Sequence, residues 1–260
     1  MKVVSLNLNG IRASARKGVF AWLASLSPDV ICVQETKAQM VHLPMEDFTL
    51  PGYHAYFHDA EKKGYSGVGI YTRREPDQIT RGLGFPVADT EGRYIQADFG
   101  LLSVCSLYMP SGSSKAERQL VKFDFISAYQ ETLARQQASG RDVIICGDWN
   151  IVHREIDIKN FKSNQKNSGC LPEERQWLDD LLQAGWLDAF RLCNQSPGEY
   201  TWWSNRGNAY ANNVGWRIDY QIISESMGEA VQEAFIYKEE RFSDHAPLIV
   251  AYHYPAWDSA

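Results

Sequence analysis

Short apolar runs rich in Val, Ile and Tyr recur along the chain, each bounded by Gly, Pro, Asn or Asp. That pattern reads as strands, and it predicts them at 2–8, 29–34, 53–57, 67–71, 94–99, 101–109, 142–146, 218–223, 230–236 and 247–252. Helical spacing appears between them. Val19, Phe20, Leu23 and Leu26 predict a helix over 17–26, and Leu120, Phe123, Ile126 and Leu133 form one stripe of a long helix over 115–137. A third helix over 172–184 opens with a proline and two glutamates, as a helix start should, and carries Trp177, Leu178, Leu181 and Leu182. Strands and helices alternate early and strands dominate later, which predicts mixed sheets covered by helices. Two runs, VVSLNLNG and VIICGDWN, resemble each other and suggest two similar half-folds. No linker or low-complexity segment interrupts residues 1–260, so one domain is expected.

The polar residues that end the apolar runs carry the chemistry. One run ends in Asn7 and Asn9, another in Glu35, another in Tyr108, and another in Asp148 and Asn150. Asp219 begins a later strand, and Ser243, Asp244 and His245 precede the last. A single polar residue at a strand end is usually a turn or cap residue. Six strands ending this way point to one rim of a sheet, where α/β folds bind ligands. Carboxylates and carboxamides converging there suit a hard divalent cation.

Composition narrows the class. The net charge of −6 gives no general basic footprint, so contact with a polyanion would need a local patch. Lys159, Lys162 and Lys166 lie in a stretch without acids, and Arg73, Arg74, Arg81 and Arg93 are close in sequence. Their bland reading is solvated surface charge. Five cysteines, an odd number without a CxxC, argue against both a disulfide framework and a zinc site. Cys32, Cys105 and Cys146 lie inside apolar runs and read as core residues in a reducing compartment. No apolar run is long enough to span a membrane and the N-terminus has no signal-peptide pattern. A soluble, cytoplasmic protein is the expectation.

Hydrolysis of a phosphodiester needs charge neutralisation at the phosphoryl oxygens, an activated water and a stabilised leaving oxygen. A metal held by Glu35 would supply the first. Asp148 would orient or deprotonate the water, with Asn150 fixing its position. His245, held by Asp219, would stay protonated and donate to a phosphoryl oxygen, and Tyr108 would add a donor. No Ser or Cys sits in a nucleophile-elbow context, so direct attack by water is expected.

The stretches LNLNGIRA, PDVICVQETK, GYSGVGIY, LYMPSG, GDWNIVHREIDIKN, NQKNSGCLPEER, LDAFR, NNVGWRIDYQIIS and SDHAPLIV, together and in order, resemble the exonuclease III-like family of abasic-site endonucleases. That family lies within the endonuclease/exonuclease/phosphatase superfamily. The resemblance runs from residue 5 to residue 250. It implies a four-layered α/β sandwich, with two mixed β-sheets packed face to face and flanked by helices. It implies a cofactor, Mg²⁺ with Mn²⁺ as substitute, and a DNA repair activity. The backbone would be hydrolysed 5′ to an abasic site in duplex DNA to leave a 3′-hydroxyl, with trimming of blocked 3′ ends. The expected partner is duplex DNA, bound by a monomer away from any membrane.

By position, the resemblance makes Glu35 the metal ligand, with Asn7, Asn9, Asp148, Asn150 and Asp244 around the same site. It makes Asp148 and Asn150 the pair that positions the nucleophile, Tyr108 the active-site tyrosine, and Asp219 and His245 the Asp–His pair. On the DNA side it implies that Asn164 and Asn167 approach the target nucleotide. Trp202, Trp216 and Ile218 would form an apolar pocket for the flipped, baseless sugar. Tyr65 would lie in a loop facing the minor groove. Ser111 stands where several relatives carry Asn, which bears on one hydrogen bond to phosphate or sugar.

Overall fold

The computed structural model describes residues 1–258. Two six-stranded sheets form the centre. The first has the order β13 (Val231–Ile236), β14 (Leu248–Tyr252), β1 (Lys2–Asn7), β2 (Val30–Gln34), β4 (Val68–Thr72) and β3 (His54–His58). The second has the order β5 (Gln78–Arg81), β6 (Tyr94–Phe99), β7 (Leu102–Tyr108), β8 (Asp142–Asp148), β12 (Asp219–Ser224) and β9 (Trp186–Asp188). A two-residue ribbon pairs β10 (Trp202–Trp203) with β11 (Gly215–Trp216). All ten expected strands form. The short strands β5, β9, β10 and β11 have too few alternating apolar positions to be legible in sequence.

Side chains of successive strand residues point to opposite faces, and the core follows that alternation. Val3, Val30, Cys32, Val68 and Ile70 of the first sheet pack against Ile95, Val104, Ile144, Cys146 and Ile223 of the second. Val4, Leu6, Ile31 and Val33 face outward and meet helix α2 (Val19–Leu26), which follows the short helix α1 (Ile11–Arg16). A five-residue helix α3 (Pro86–Thr90) leads into β6, and helix α4 (Ala116–Ala138) covers the outer face of the second sheet. After the one-turn helix α5 (Phe161–Asn164) comes α6 (Pro172–Gln183), whose Trp177, Leu178 and Leu181 join the same outer core. Short helices α7 (Ala189–Cys193) and α8 (Pro255–Asp258) complete the order. The layers are helix, sheet, sheet, helix, as the resemblance implied.

Two expectations change. The buried stripe of α4 is Phe125, Ile126, Tyr129 and Leu133 with Lys122, whereas Leu120 is 64% exposed. A stripe drawn through the apolar letters alone starts at Leu120, because the first position that faces the sheet is occupied by a buried lysine, Lys122. Arg93, expected on the surface, is buried, with its guanidinium on Glu91 and on the carbonyl of Tyr108. Cys32, Cys105 and Cys146 are buried free thiols, as expected.

The similarity of the two short runs is structural. From β14 through β1, β2 and β4 to β3 the pairings run antiparallel, parallel, antiparallel, antiparallel. From β12 through β8, β7 and β6 to β5 they run in the same order. β1 and β8 occupy equivalent places and pack against each other. No helix among the described residues is long and apolar enough to cross a membrane.

Candidate active site

Strand direction gathers the site. The parallel strands β1, β2, β7 and β8 end at the same rim where the antiparallel strands β12 and β14 begin. Tyr108 lies opposite Asp148, and Asp148 opposite Asp219, in the strand register. Just past β1, β2 and β8, Asn9, Glu35 and Asn150 take positive φ values of 45°, 50° and 51°. For non-glycine residues such conformations are uncommon and strained, and they mark places where the surroundings dictate the backbone. Both half-folds make the same turn: Asn9 N donates to Asn7 Oδ1, and Asn150 N donates to Asp148 Oδ1, each at 2.9 Å. Gly147 precedes the second turn because a Cβ there would lie 2.0 Å from the Leu107 carbonyl oxygen.

The two sheets meet through side chains. Asn7 Nδ2 donates to Glu35 Oε1 and to Asp148 Oδ2, both at 2.9 Å. His245 Nδ1 lies 2.8 Å from Asp219 Oδ2, and its Nε2 lies 3.8 Å from Asp148 Oδ2. Asp244 accepts from Asn9 Nδ2 at 2.9 Å and from Trp202 Nε1 at 3.1 Å. Asn150 Nδ2 donates to the Met109 carbonyl at 2.9 Å.

Burial and charge set the protonation states. Burial, aided by Asp219 and Glu35, raises Asp148 to about 7 against the opposing pull of His245. Burial alone would deprotonate His245, but Asp219, with Asp148 and Asp244, outweighs it and raises the imidazole to about 10. Asp244 is held below the usual carboxylate range: burial opposes this, and His245, Asn9 and Trp202 outweigh it. Burial and the nearby Glu35 carboxylate push the Tyr108 phenol well above its ordinary value, so it remains a donor.

A cation would find oxygen donors here. Glu35, Asp148 and His245 each offer one atom within 4.8 Å of the others. As an imidazolium His245 has no lone pair to give, so carboxylate oxygens of Glu35 and Asp148, beside the carboxamides of Asn7 and Asn9, form the donor set. Such hard oxygen donors fit Mg²⁺ or Mn²⁺ better than a softer metal.

Beside the carboxylates opens a cleft of about 800 Å³. Trp202, Trp216 and Ile218 give its lining an apolar part, and Ser111, Asn167, Ser168 and Gly169 line the same cleft. Trp202 and Trp216 stand edge to face, centroids 6.0 Å apart, over a small cluster of Val152, Ile158 and Cys170. The tryptophans are thus partly core and partly cleft wall. Asn164 does not line the cleft; its Oδ1 accepts from Asn167 Nδ2 at 2.8 Å, so it holds the residue that does. Tyr65 lies outside the cleft lining, where its hydroxyl accepts from Arg93 and Arg118 and donates to Glu91.

Several residues of the site escaped the sequence reading. Lys37 pairs with Glu35 at 2.8 Å and donates to Asn9. Arg93 lies under the Tyr108 ring, 4.7 Å from its centroid. Lys122 and Glu174 form a fully buried ion pair behind the cleft. The available signal was position: Lys37 falls two residues beyond Glu35, and Glu174 occupies the third position of a helix, where a side chain reaches back to cap.

The sequence pattern of the endonuclease/exonuclease/phosphatase family matches residues 4–245. The chain is 40% identical over 255 residues to an exodeoxyribonuclease of Bacillus subtilis (strain 168), covering 95% of this chain and 98% of that one. It is 38% identical over 255 residues to the DNA repair nuclease APEX1 of Danio rerio, covering 95% and 81%. The structure of an AP endonuclease from Archaeoglobus fulgidus superposes with a TM-score of 0.87 at 26% identity, over 98% of this chain and 100% of that one.

Proposed function

The chain belongs to the endonuclease/exonuclease/phosphatase family, as a hydrolytic nuclease of the exodeoxyribonuclease and AP endonuclease type, and from that premise we propose a specific reaction. It hydrolyses the phosphodiester 5′ to an abasic site in duplex DNA, with removal of 3′-terminal phosphates and 3′ to 5′ degradation as side activities. The P–O3′ bond breaks, which leaves a 3′-hydroxyl and a 5′-phosphate on the baseless sugar. The observation that carries this reading is the juxtaposition of a phosphate-sized polar rim with the Trp202–Trp216 cleft. An apolar wall of this kind favours a sugar without a base over a base-bearing nucleotide.

Asp148, its carboxyl poised near neutrality, accepts the proton of the attacking water, and Asn150 fixes where that carboxylate points. His245 donates from Nε2 to a phosphoryl oxygen, since Nδ1 is committed to Asp219. Tyr108 donates its phenolic proton to the same phosphate. Glu35 and Asp148, beside Asn7, Asn9, Asn150 and Asp244, would hold Mg²⁺, which would neutralise the phosphate and the leaving oxygen when bound. Asn167 and Ser111 line the same cleft as the tryptophans and would contact the DNA there, with Asn164 and Tyr65 supporting those contacts. The two sheets work as one catalytic domain, as a cytoplasmic monomer.

The test is a duplex oligonucleotide carrying one abasic analogue, incubated with Mg²⁺ or with chelator. Incision at that site only with metal supports the reading; no incision with metal ends it. An inositol or lipid phosphatase of the same family would act on its small substrate and leave this duplex intact.

A further inference from the structure

Resting on the proposed reaction, we propose that Lys122 and Glu174 are positioning residues that fix the width of the sugar pocket and thereby set the preference for a baseless sugar. Both side chains are fully buried, with Lys122 Nζ 2.6 Å from Glu174 Oε1. Lys122 Nζ also donates to the Asn150 carbonyl at 2.7 Å. Glu174 Oε2 accepts from Gly169 N at 2.6 Å and from Leu171 N at 3.1 Å. Its Oε1 accepts from Gln119 Nε2 at 3.0 Å and from Ser168 Oγ at 3.5 Å. Gln119, Asn150, Ser168, Gly169 and Leu171 all line the same cleft as Trp202, Trp216 and Ile218, and Gly169 packs so close to the Trp216 ring that a Cβ there would lie 3.2 Å from it. One ion pair therefore ties down these five residues of the lining.

An apolar pair of the same volume would fill this space without desolvating two charges, and such replacements are often neutral or stabilising. What the charged pair supplies is hydrogen bonds of fixed length to backbone that no helix or strand satisfies. The wall also has little slack. Gly169 has φ +88°, and a Cβ there would lie 2.9 Å from the Asn150 carbonyl oxygen. A Cβ on Gly112 would lie 2.5 Å from Ser168 Oγ. With neighbours this close, a displaced 168–171 segment moves into or out of the pocket itself.

The pair touches the phosphate-facing residues at one point only, the Asn150 carbonyl. Glu35, Asp148, Asp219 and His245 are otherwise held by the Asp219–His245 bond, by Asn7 and by the Asn150 N–H on Asp148, none of which involves Glu174. A division of effects follows. Abasic incision requires a sugar in the pocket. Removal of a 3′-terminal phosphate breaks the same P–O3′ bond with no sugar beyond the phosphorus, so the pocket wall is not used.

The experiment compares wild type, E174Q and the charge-free double variant K122M/E174Q. For each, kcat and KM are measured for incision at an abasic analogue and for phosphate release from a 3′-phosphorylated duplex, alongside the melting temperature and Mn²⁺ affinity. The expected result is a fall of roughly tenfold to a hundredfold in kcat/KM for the abasic substrate, carried chiefly by KM. In E174Q, which keeps the Lys122 hydrogen bond to the Asn150 carbonyl, phosphate release stays within about threefold of wild type. Equal losses on both substrates, or no loss on either, overturn the proposal. If the double variant does not fold, the same two ratios for E174Q decide. Failure of the wild type to incise the abasic duplex is a different outcome: it strikes the proposed reaction itself, and this inference falls with it.

Discussion

His245 Nδ1 and Asp219 Oδ2 stand 2.8 Å apart, one just ahead of β14 in the first sheet and the other at the start of β12 in the second. That hydrogen bond decides which imidazole nitrogen faces the substrate and keeps the ring charged. With the Asn7 bridge between Glu35 and Asp148, it makes the site a product of both half-folds. Neither sheet holds a working set alone.

Removing that partner moves a pH limb. In the proposed reaction Asp148 works as the carboxylate and His245 as the imidazolium. The rate therefore rises with pH as Asp148 loses its proton and falls as His245 loses its own near pH 10. The rising limb lies at or below pH 7, since a bound cation favours the charged carboxylate. In Asp219→Asn the carboxylate that raises His245 is gone, so the falling limb shifts to lower pH. A kcat/KM profile from pH 5 to pH 10 checks this; an unmoved falling limb would detach Asp219 from the protonation of His245.

Asp148→Asn keeps the size of the side chain and its hydrogen bond to Asn150 but removes the base. A loss of roughly 10²–10⁴ in kcat is expected, with the melting temperature nearly unchanged. Rate and melting curve together separate this from a folding defect, and near-wild-type turnover would exclude Asp148 as the group that activates water.

Glu35→Gln removes a carboxylate charge from the cation donors and leaves the cleft intact. Mn²⁺ affinity by titration calorimetry should fall by roughly tenfold or more. Equal affinity in the variant would place the cation elsewhere.

Asp157 is fully buried and receives Arg217 at 2.7 Å and Arg191 at 2.5 Å, which ties the segment before Ile158 to β12 and α7. Asp157→Ala removes the carboxylate shared by two buried guanidinium groups, leaving Arg217 with Asp188 and Arg191 with the carbonyls of Asn194 and Ser196. A loss of about 3–5 kcal/mol in unfolding free energy is expected by denaturant titration. A change below about 1 kcal/mol would show that Asp188 and the carbonyls of Asn194 and Ser196 suffice for the two arginines.

The parts that were legible in sequence are those written in a repeating code. Strands β1, β2, β7, β8, β12 and β14 announced themselves by β-branched runs, and their terminal polar residues pointed to one rim because parallel ends and antiparallel starts coincide there. The kinship of VVSLNLNG and VIICGDWN became an identical turn, Asn7 with Asn9 and Asp148 with Asn150. Buried charges were hidden, since Lys122, Arg93 and Glu174 look like surface residues until their partners, far off in sequence, are brought beside them. Leu120 misled for the mirror-image reason: an apolar letter on a helix does not reveal which face the sheet covers. Asn164 and Asn167 share a segment, yet only the fold shows that one lines the cleft and the other holds it.

The central claim is hydrolysis at phosphorus beside a baseless sugar. It is tested most directly by incising an abasic duplex in ¹⁸O-labelled water with Mg²⁺ and weighing both fragments. The structure predicts a 3′-hydroxyl on the upstream fragment and one ¹⁸O atom in the 5′-phosphate of the baseless sugar. An unlabelled phosphate with an unsaturated aldehyde end would mean elimination at carbon, and would contradict the account.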